Sequence, residues 1–353
     1  MENPLISKSE NSKSGVRKRI FVTGGAGFIG SHTSLQLIEN GYDIIIFDNF
    51  SNSKLAIIDR LQTLTGKKIE YVKGDVRDFD HLKNTLEQSK CEAVIHFAGL
   101  KSVGESVEMP LNYYDNNVVA SYNLVRAMQQ TNTKELVFSS SATVYGRPQF
   151  LPITEDHPLS AENPYGQTKL IVENMLRDVA QSDPSWRIAI LRYFNPCGAH
   201  TSGLIGEDPK GIPNNLVPFI AQVAIGLRSH VNVMGNDYDT PDGTGVRDYI
   251  HVVDLANGHV KALDYLEENV GCKAFNLGTG TGYSVLEMIN AFSTAADRDI
   301  LFKFTNRRKG DVATCFANTQ LASKVLGWKA ILDLNKMCVD HWNWQSKNPE
   351  GYS

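Results

Sequence analysis

The sequence predicts an α/β fold, a doubly wound parallel sheet with a smaller C-terminal lobe. Three observations predict it. Six short runs rich in Ile, Val, Phe and Leu recur between residues 20 and 192, as strands buried on both faces should. Stretches of helical apolar spacing separate them, and alternation repeated this often implies parallel strands joined by right-handed crossovers. Past Asn195 the alternation stops, and Gly and Pro thicken.

In chain order, residues 1–18 are polar, with Glu2 and Glu10 and no apolar segment, and predict a mobile tail rather than a secretory signal. Strands are expected at 20–23, 44–48, 69–73, 93–98, 136–140 and 188–192. Leu82 with Leu86, and Val125 with Met128, mark helices between them, and Gly41 marks the stop of the first helix. Residues 19–194 then form one nucleotide-binding domain. Residues 195–353 form mainly the second lobe, with helices at 254–268 and 284–296, although the chain can cross between lobes more than once.

Composition narrows the function. The net charge of −4 supplies no positive field for nucleic acid. No apolar stretch approaches the ~18 residues of a membrane span. Cys91, Cys197, Cys272, Cys315 and Cys338 are odd in number and widely spaced, with no C-x-x-C pair. Neither a metal site nor a disulfide framework is expected, and a reducing, cytoplasmic setting is.

Where the first strand gives way to a helix, Gly24, Gly27 and Gly30 follow one another at three-residue spacing. A glycine triplet alone marks only a turn. Between a strand and a helix it lets the backbone approach a pyrophosphate and aims helix N–H groups at it. Asp48 ends the second strand eighteen positions after Gly30, close to the ~20 expected of a ribose-binding acid in a Rossmann-type domain. Its alternative role is to cap the next helix. No Arg follows to accept a 2′-phosphate, so the expected cofactor is NAD. Asp75, ending the third strand, can reach the adenine amine; Phe97, Ala98, Gly99, Leu100 and Lys101 end the fourth and admit the cofactor's middle.

Tyr165 and Lys169 stand four apart at the start of a helix expected from Thr168 onward, and so share one face. Roughly one Tyr-x-x-x-basic pair is expected by chance in this composition. The pair gains weight from Ser139, Ser140, Ser141, Ala142 and Thr143, which end the fifth strand on the cofactor edge. A phenol at pKa ~10 needs about 4 kcal/mol of preference for phenolate to act as a base near pH 7. One ammonium at ~4 Å under an effective dielectric of ~20 supplies about that much. Lys169 can also hold the nicotinamide ribose, and Ser141 can bond the reacting oxygen.

These residues resemble the extended short-chain dehydrogenase/reductases and, within them, the UDP-glucose 4-epimerase family. The supporting runs lie at 23–30, 97–101, 139–146 and 163–166; more specific are Arg192-Tyr193-Phe194-Asn195-Pro196, Asn214-Asn215-Leu216 and the run from Gly243 to Val252. The resemblance covers about Arg19 to Gly351. Gln167-Thr168 departs from the family's usual Lys-Ser, and both are expected to face away. The resemblance adds Phe28, Ile29, Asn49, Val76 and Asn116 to the cofactor site. It assigns UDP to Asn195, Asn215, Leu216, Arg247, Arg308 and Asp311, and the sugar to Ser141, Thr143 and Tyr165. At Cys315 it implies a small residue that leaves room for a 2-N-acetyl group, so UDP-GlcNAc and UDP-GalNAc join the expected substrates.

The implied reaction, part of galactose metabolism, is reversible inversion at C4 of UDP-glucose and UDP-galactose through a 4-keto sugar, with NAD retained; the resemblance also implies a homodimer. His96 and His251 read as structural. Two alternatives stay open: a nucleotide-sugar 4,6-dehydratase, although Thr143 lacks the acidic pair such enzymes place after it, and a non-catalytic NAD or UDP-sugar sensor.

Overall fold

Residues 18–308 and 310–352 are described by the structure, a computed structural model. The expected tail lies outside them except for Lys18, which is not part of it: its amine donates to Glu135 Oε2 at 2.9 Å and fixes the chain just before the first strand.

From there strands and helices alternate: β1 (Arg19–Thr23), α1 (Phe28–Glu39), β2 (Asp43–Asp48), α2 (Ala56–Thr65), β3 (Glu70–Lys73), α3 (Phe79–Ser89), β4 (Ala93–His96), α4 (Ala120–Gln130), β5 (Glu135–Ser141), α5 (Pro164–Ser182), β6 (Arg187–Tyr193), α6 (Val252–Glu268) and β7 (Gly271–Leu277). The seven strands are all parallel, in the order β7-β6-β5-β4-β1-β2-β3. Side chains of period two feed two cores. Ile20, Val22, Ile44, Ile46 and Ile95 pack with Leu35 of α1, Leu61 of α2 and Leu263 of α6. Phe21, Ile45, Phe47, Val94 and Phe138 pack on the other face with Leu82 of α3, Leu124 of α4 and Leu176 of α5. Full burial of each such side chain contributes about 1.5–3 kcal/mol.

Beyond the expected boundary at 195 the chain returns once to the large sheet and then leaves it again. Helix α6 and strand β7, both beyond Asn195, belong to the large sheet layer, where β7 pairs with β6 from Gly271↔Arg187 to Leu277↔Tyr193. The second lobe has its own core of Val217, Ile220, Val231, Met288, Phe292 and Met337. Short strands bring its chemistry into register: Asn195 opposite Tyr249, and Cys315 opposite Arg247. Among the described residues, no helix is long and apolar enough to cross a membrane.

The neighbours of β1 are β2 and β4, so connections leave it toward opposite sides, and the crevice at the carboxyl ends of these strands is where such sheets bind ligands.

Candidate active site

The glycine turn is built for close approach. Gly24 has φ +67°, and a Cβ there would sit 2.6 Å from the backbone nitrogen of Ala98. The β1 turn therefore touches the β4 loop backbone to backbone, which only glycine allows. Gly27 is the N-cap of α1 and offers no side-chain oxygen, and the first turn (Phe28, Ile29) carries no acid. The leading N–H groups of α1 remain for an anion. A Cβ on Gly30 would collide with the Gly24 carbonyl, so α1 sits tightly on the turn.

Asp48 does more than the sequence assigned to it. Its Oδ2 accepts from Ala26 N at 3.0 Å, and its Oδ1 accepts from Phe50 N at 2.9 Å and Ser53 Oγ at 3.0 Å. Three of its roughly four acceptor positions are committed, so it locks the glycine turn to β2 and leaves one acceptor position open. Nor does it cap the next helix, whose N-cap is Leu55. Asn49 Nδ2 donates to Asp75 Oδ2 at 3.0 Å, and Arg77 Nη2 donates to the same oxygen at 2.7 Å. The Arg77 bonds hold the Asp75 carboxyl far below the usual carboxylate range. Val76, which follows, is buried in the core. Asn116 turns its amide back to Asn112 O at 2.9 Å. Its neighbour Asn117 is the one that reaches the β4 loop, donating to Leu100 O and to Thr168 Oγ1, both at 3.0 Å, and accepting from Leu100 N at 2.8 Å.

Helix α5 begins at Pro164, four residues before the expected start. Asn163 caps it, its Oδ1 accepting from Gly166 N at 2.8 Å, and Pro164 takes the first position. Thr168 does not face away: it is fully buried and donates to Tyr165 O at 2.7 Å. The family's usual Ser keeps that hydroxyl, which explains why Thr is accepted here.

Tyr165, Lys169 and Ser141 come together at the β5 end. Ser141 Oγ accepts from Thr143 Oγ1 at 3.0 Å and Thr143 N at 3.2 Å, which leaves its own hydrogen for the Tyr165 phenol. Lys169 Nζ donates to Ser139 O at 2.6 Å, and it lies 4.0 Å from where a Gly99 Cβ would stand. Its amine therefore faces the cofactor loop while its hydrogen bonds go to Ser139. Burial pushes the phenol up, opposed by the Ser141 bond, and pulls the Lys169 amine down to about 8, opposed by Glu173. The net direction at the phenol in this structure is upward.

Behind this group lies a buried ion pair that the sequence reading missed. Glu173 accepts from Ser140 Oγ at 2.6 Å and from Arg192 at 3.0 Å (Nε) and 2.7 Å (Nη2). It continues the four-residue spacing of Tyr165 and Lys169, and a charge repeated on a buried helix stripe was the signal available.

On the second lobe, Arg308 Nη2 donates to Asp311 Oδ1 at 2.8 Å, and Arg247 Nη2 lies 3.8 Å from the same oxygen. Asn195 is exposed beyond the end of β6, and Asn215 and Leu216 open the helix Leu216–Ala224. Cys315 packs against the small core of Val144, Tyr145, Ile153, Phe194 and Ala317, as does Ala142 of the β5 end. Both nitrogens of His96 are occupied, by Thr23 Oγ1 at 2.6 Å and Ser121 Oγ at 3.0 Å; those of His251 meet Val253 N and Asp340 Oδ2.

A protein-family model described as GDP-mannose 4,6 dehydratase matches residues 21–341. The UDP-glucose 4-epimerase of Bacillus subtilis is 55% identical over 333 residues, 94% of this chain and 98% of its own. That of Dictyostelium discoideum is 57% identical over 336 residues, 95% of this chain and 98% of its own. Among solved structures, UDP-glucose 4-epimerase from Bifidobacterium longum in complex with NAD+ and UDP superposes with a TM-score of 0.92 at 53% identity, covering 95% of this chain and 100% of its own.

Proposed function

Because the chain belongs to the UDP-glucose 4-epimerase family, we propose that Tyr165, Lys169 and Ser141 carry out the C4 inversion of UDP-glucose and UDP-galactose that defines it. The chain is an NAD-dependent isomerase. The observation that supports these roles best is the meeting of Ser141, Tyr165 and Lys169 at the strand edge beside Gly99. A 4,6-dehydratase, for which the matching family model is named, needs an acid after the threonine; Thr143 is followed by Val144, fully buried.

The residues present fit NAD: Gly24, Gly27 and Gly30 leave space and N–H groups for the pyrophosphate, Asp48 keeps an acceptor for the ribose, and Gly99 opens onto Lys169. When bound, NAD supplies the acceptor and the donor of hydride at C4. Tyr165 takes the proton from the sugar's 4-hydroxyl and later returns it. Ser141 holds the reacting oxygen, steadied by Thr143. Lys169, kept protonated with help from Glu173, supports the phenolate through space. Arg247, Arg308, Asn195, Asn215, Leu216 and Asp311 hold UDP, the arginines through paired bonds suited to a diphosphate. Held by its nucleotide, the keto sugar can turn over in the cleft without being lost.

The lobe holding UDP is residues 195–353 apart from the stretch that returns to the large sheet. Cys315, small and packed against the same core as Ala142, leaves room for a 2-N-acetyl group, so UDP-GlcNAc and UDP-GalNAc are substrates too. The chain works as a homodimer, as its family resemblance implies; the segment 103–130 exposes Val107, Met109, Leu111, Val119 and Tyr122, and exposed apolar side chains gathered in one segment suit an interface. The setting is cytoplasmic, in keeping with five unpaired cysteines.

Incubation with UDP-galactose and no added nucleotide should yield UDP-glucose, and UDP-GalNAc should yield UDP-GlcNAc. A 4-keto-6-deoxy product would instead make the protein a dehydratase, and binding without turnover would make it a sensor. Turnover confined to UDP-glucose and UDP-galactose would contradict the role of Cys315.

A further inference from the structure

One carboxylate oxygen joins the two ligand regions of the cleft. Glu207 Oε1 accepts from Lys101 Nζ at 2.8 Å and from Asn215 Nδ2 at 2.8 Å. Lys101 closes the β4 loop on the cofactor side and is half exposed. Asn215 is the N-cap of the helix Leu216–Ala224 but makes no side-chain capping bond to it, so its amide is placed from Glu207 instead.

Glu207 itself is fixed from behind. Its side chain is only 4% exposed, and Trp344 Nε1 donates to its carbonyl oxygen at 3.3 Å. Just before it, the Tyr352 hydroxyl accepts from Gly206 N at 2.8 Å and donates to Gly206 O at 2.9 Å. A Cβ on Gly206 would run into the Trp344 ring. Just after it, Asp208 accepts from Tyr352 N at 3.0 Å and pairs with Lys54 at 3.1 Å. Charge-assisted bonds to a carboxylate held this way are roughly twice as strong as neutral ones. Glu207 Oε2 is buried with no partner among the described residues.

We propose that Glu207 is a positioning residue that makes the cofactor loop and the UDP-binding helix one mechanical unit, so that Lys101 strengthens UDP binding through Asn215. The proposal deepens the functional reading above and rests on it. No motif announces it, because Glu207 is 106 positions from Lys101 and its partners sit on different lobes.

The test measures UDP affinity calorimetrically in holoenzyme purified with its own dinucleotide, for the wild type, Lys101→Met, Glu207→Gln and the double variant. Each single variant should weaken UDP binding by about three- to tenfold, the scale of one lost hydrogen bond. The double variant should be no weaker than Glu207→Gln alone, because both act through one link. A purely structural role for Glu207 would lower the melting temperature without making the two losses non-additive. Additive losses, or unchanged UDP affinity in Lys101→Met, overturn the proposal. Should Glu207→Gln not fold, Lys101→Met alone still decides, since it alters a half-exposed side chain. A wild type that holds no dinucleotide or binds no UDP refutes the functional reading instead, a result distinct from normal binding with additive variants.

Discussion

At Tyr165 two forces oppose each other. Burial raises the phenol above its ordinary 10, and the Ser141 bond lowers it. Lys169 sits one helical turn on, and its own amine is pulled down to about 8. Its cation is therefore complete well below pH 8 and fades as the pH rises through that value. If it supports the phenolate, kcat/KM should decline above about pH 8, and a profile still rising at pH 10 would contradict that role. Tyr165→Phe removes the proton carrier alone; kcat should fall by about 10²–10⁴ while UDP affinity stays near wild type. Turnover close to normal would take the base away from this residue.

Between elements, the turn from β1 into α1 is the least forgiving place. Gly24→Ala adds a methyl 2.6 Å from Ala98 N at φ +67°, so the turn must open or the β4 loop must retreat. The variant should purify with little bound dinucleotide, read from the absorbance ratio at 260 and 280 nm, while the rest of the sheet still folds; full dinucleotide content would contradict the fit. This part of the site was legible in the sequence because close backbone approach demands glycine by identity. The same holds for the inner strands such as β1, β2 and β4, whose burial on both faces leaves apolar runs, whereas β3 at the sheet edge is largely exposed. Elsewhere the signals were weaker or misread. Strand β7 alternates Lys273 and Asn276 with apolar residues and lies at the sheet edge, so it lacks the apolar run. The start of α5 was written in Asn163-Pro164, a cap followed by a first-position proline, yet the reading began at Thr168. Glu173 and Glu207 act through partners far away in sequence, and only the fold brings those together.

For the molecule as a whole, four buried histidines set its response to acid. Burial lowers His32 and His96 to about 3, and His259 and His341 to about 4. An unfolded histidine takes a proton near pH 6.5, so the unfolded chain binds protons first as the pH drops. Stability is complete above about 6.5 and is lost below it, by up to ~1.4 kcal/mol per pH unit for each histidine. The melting temperature should fall between pH 7 and pH 5, and one that stays constant would mean that these groups are not held neutral. Assembly is tested on the same scale: Leu111→Glu places a charge on the apolar face, where Leu111 is 82% exposed, and sedimentation should show the wild-type dimer become a monomer. A wild type that sediments as a monomer would contradict the interface. The account stands or falls on what happens to one hydrogen at C4. UDP-glucose carrying deuterium at C4 should give UDP-galactose that keeps the label at C4, with none released to water, since the hydrogen is removed and returned within a closed cleft. Label appearing in solvent, or product unlabelled at C4, would contradict it.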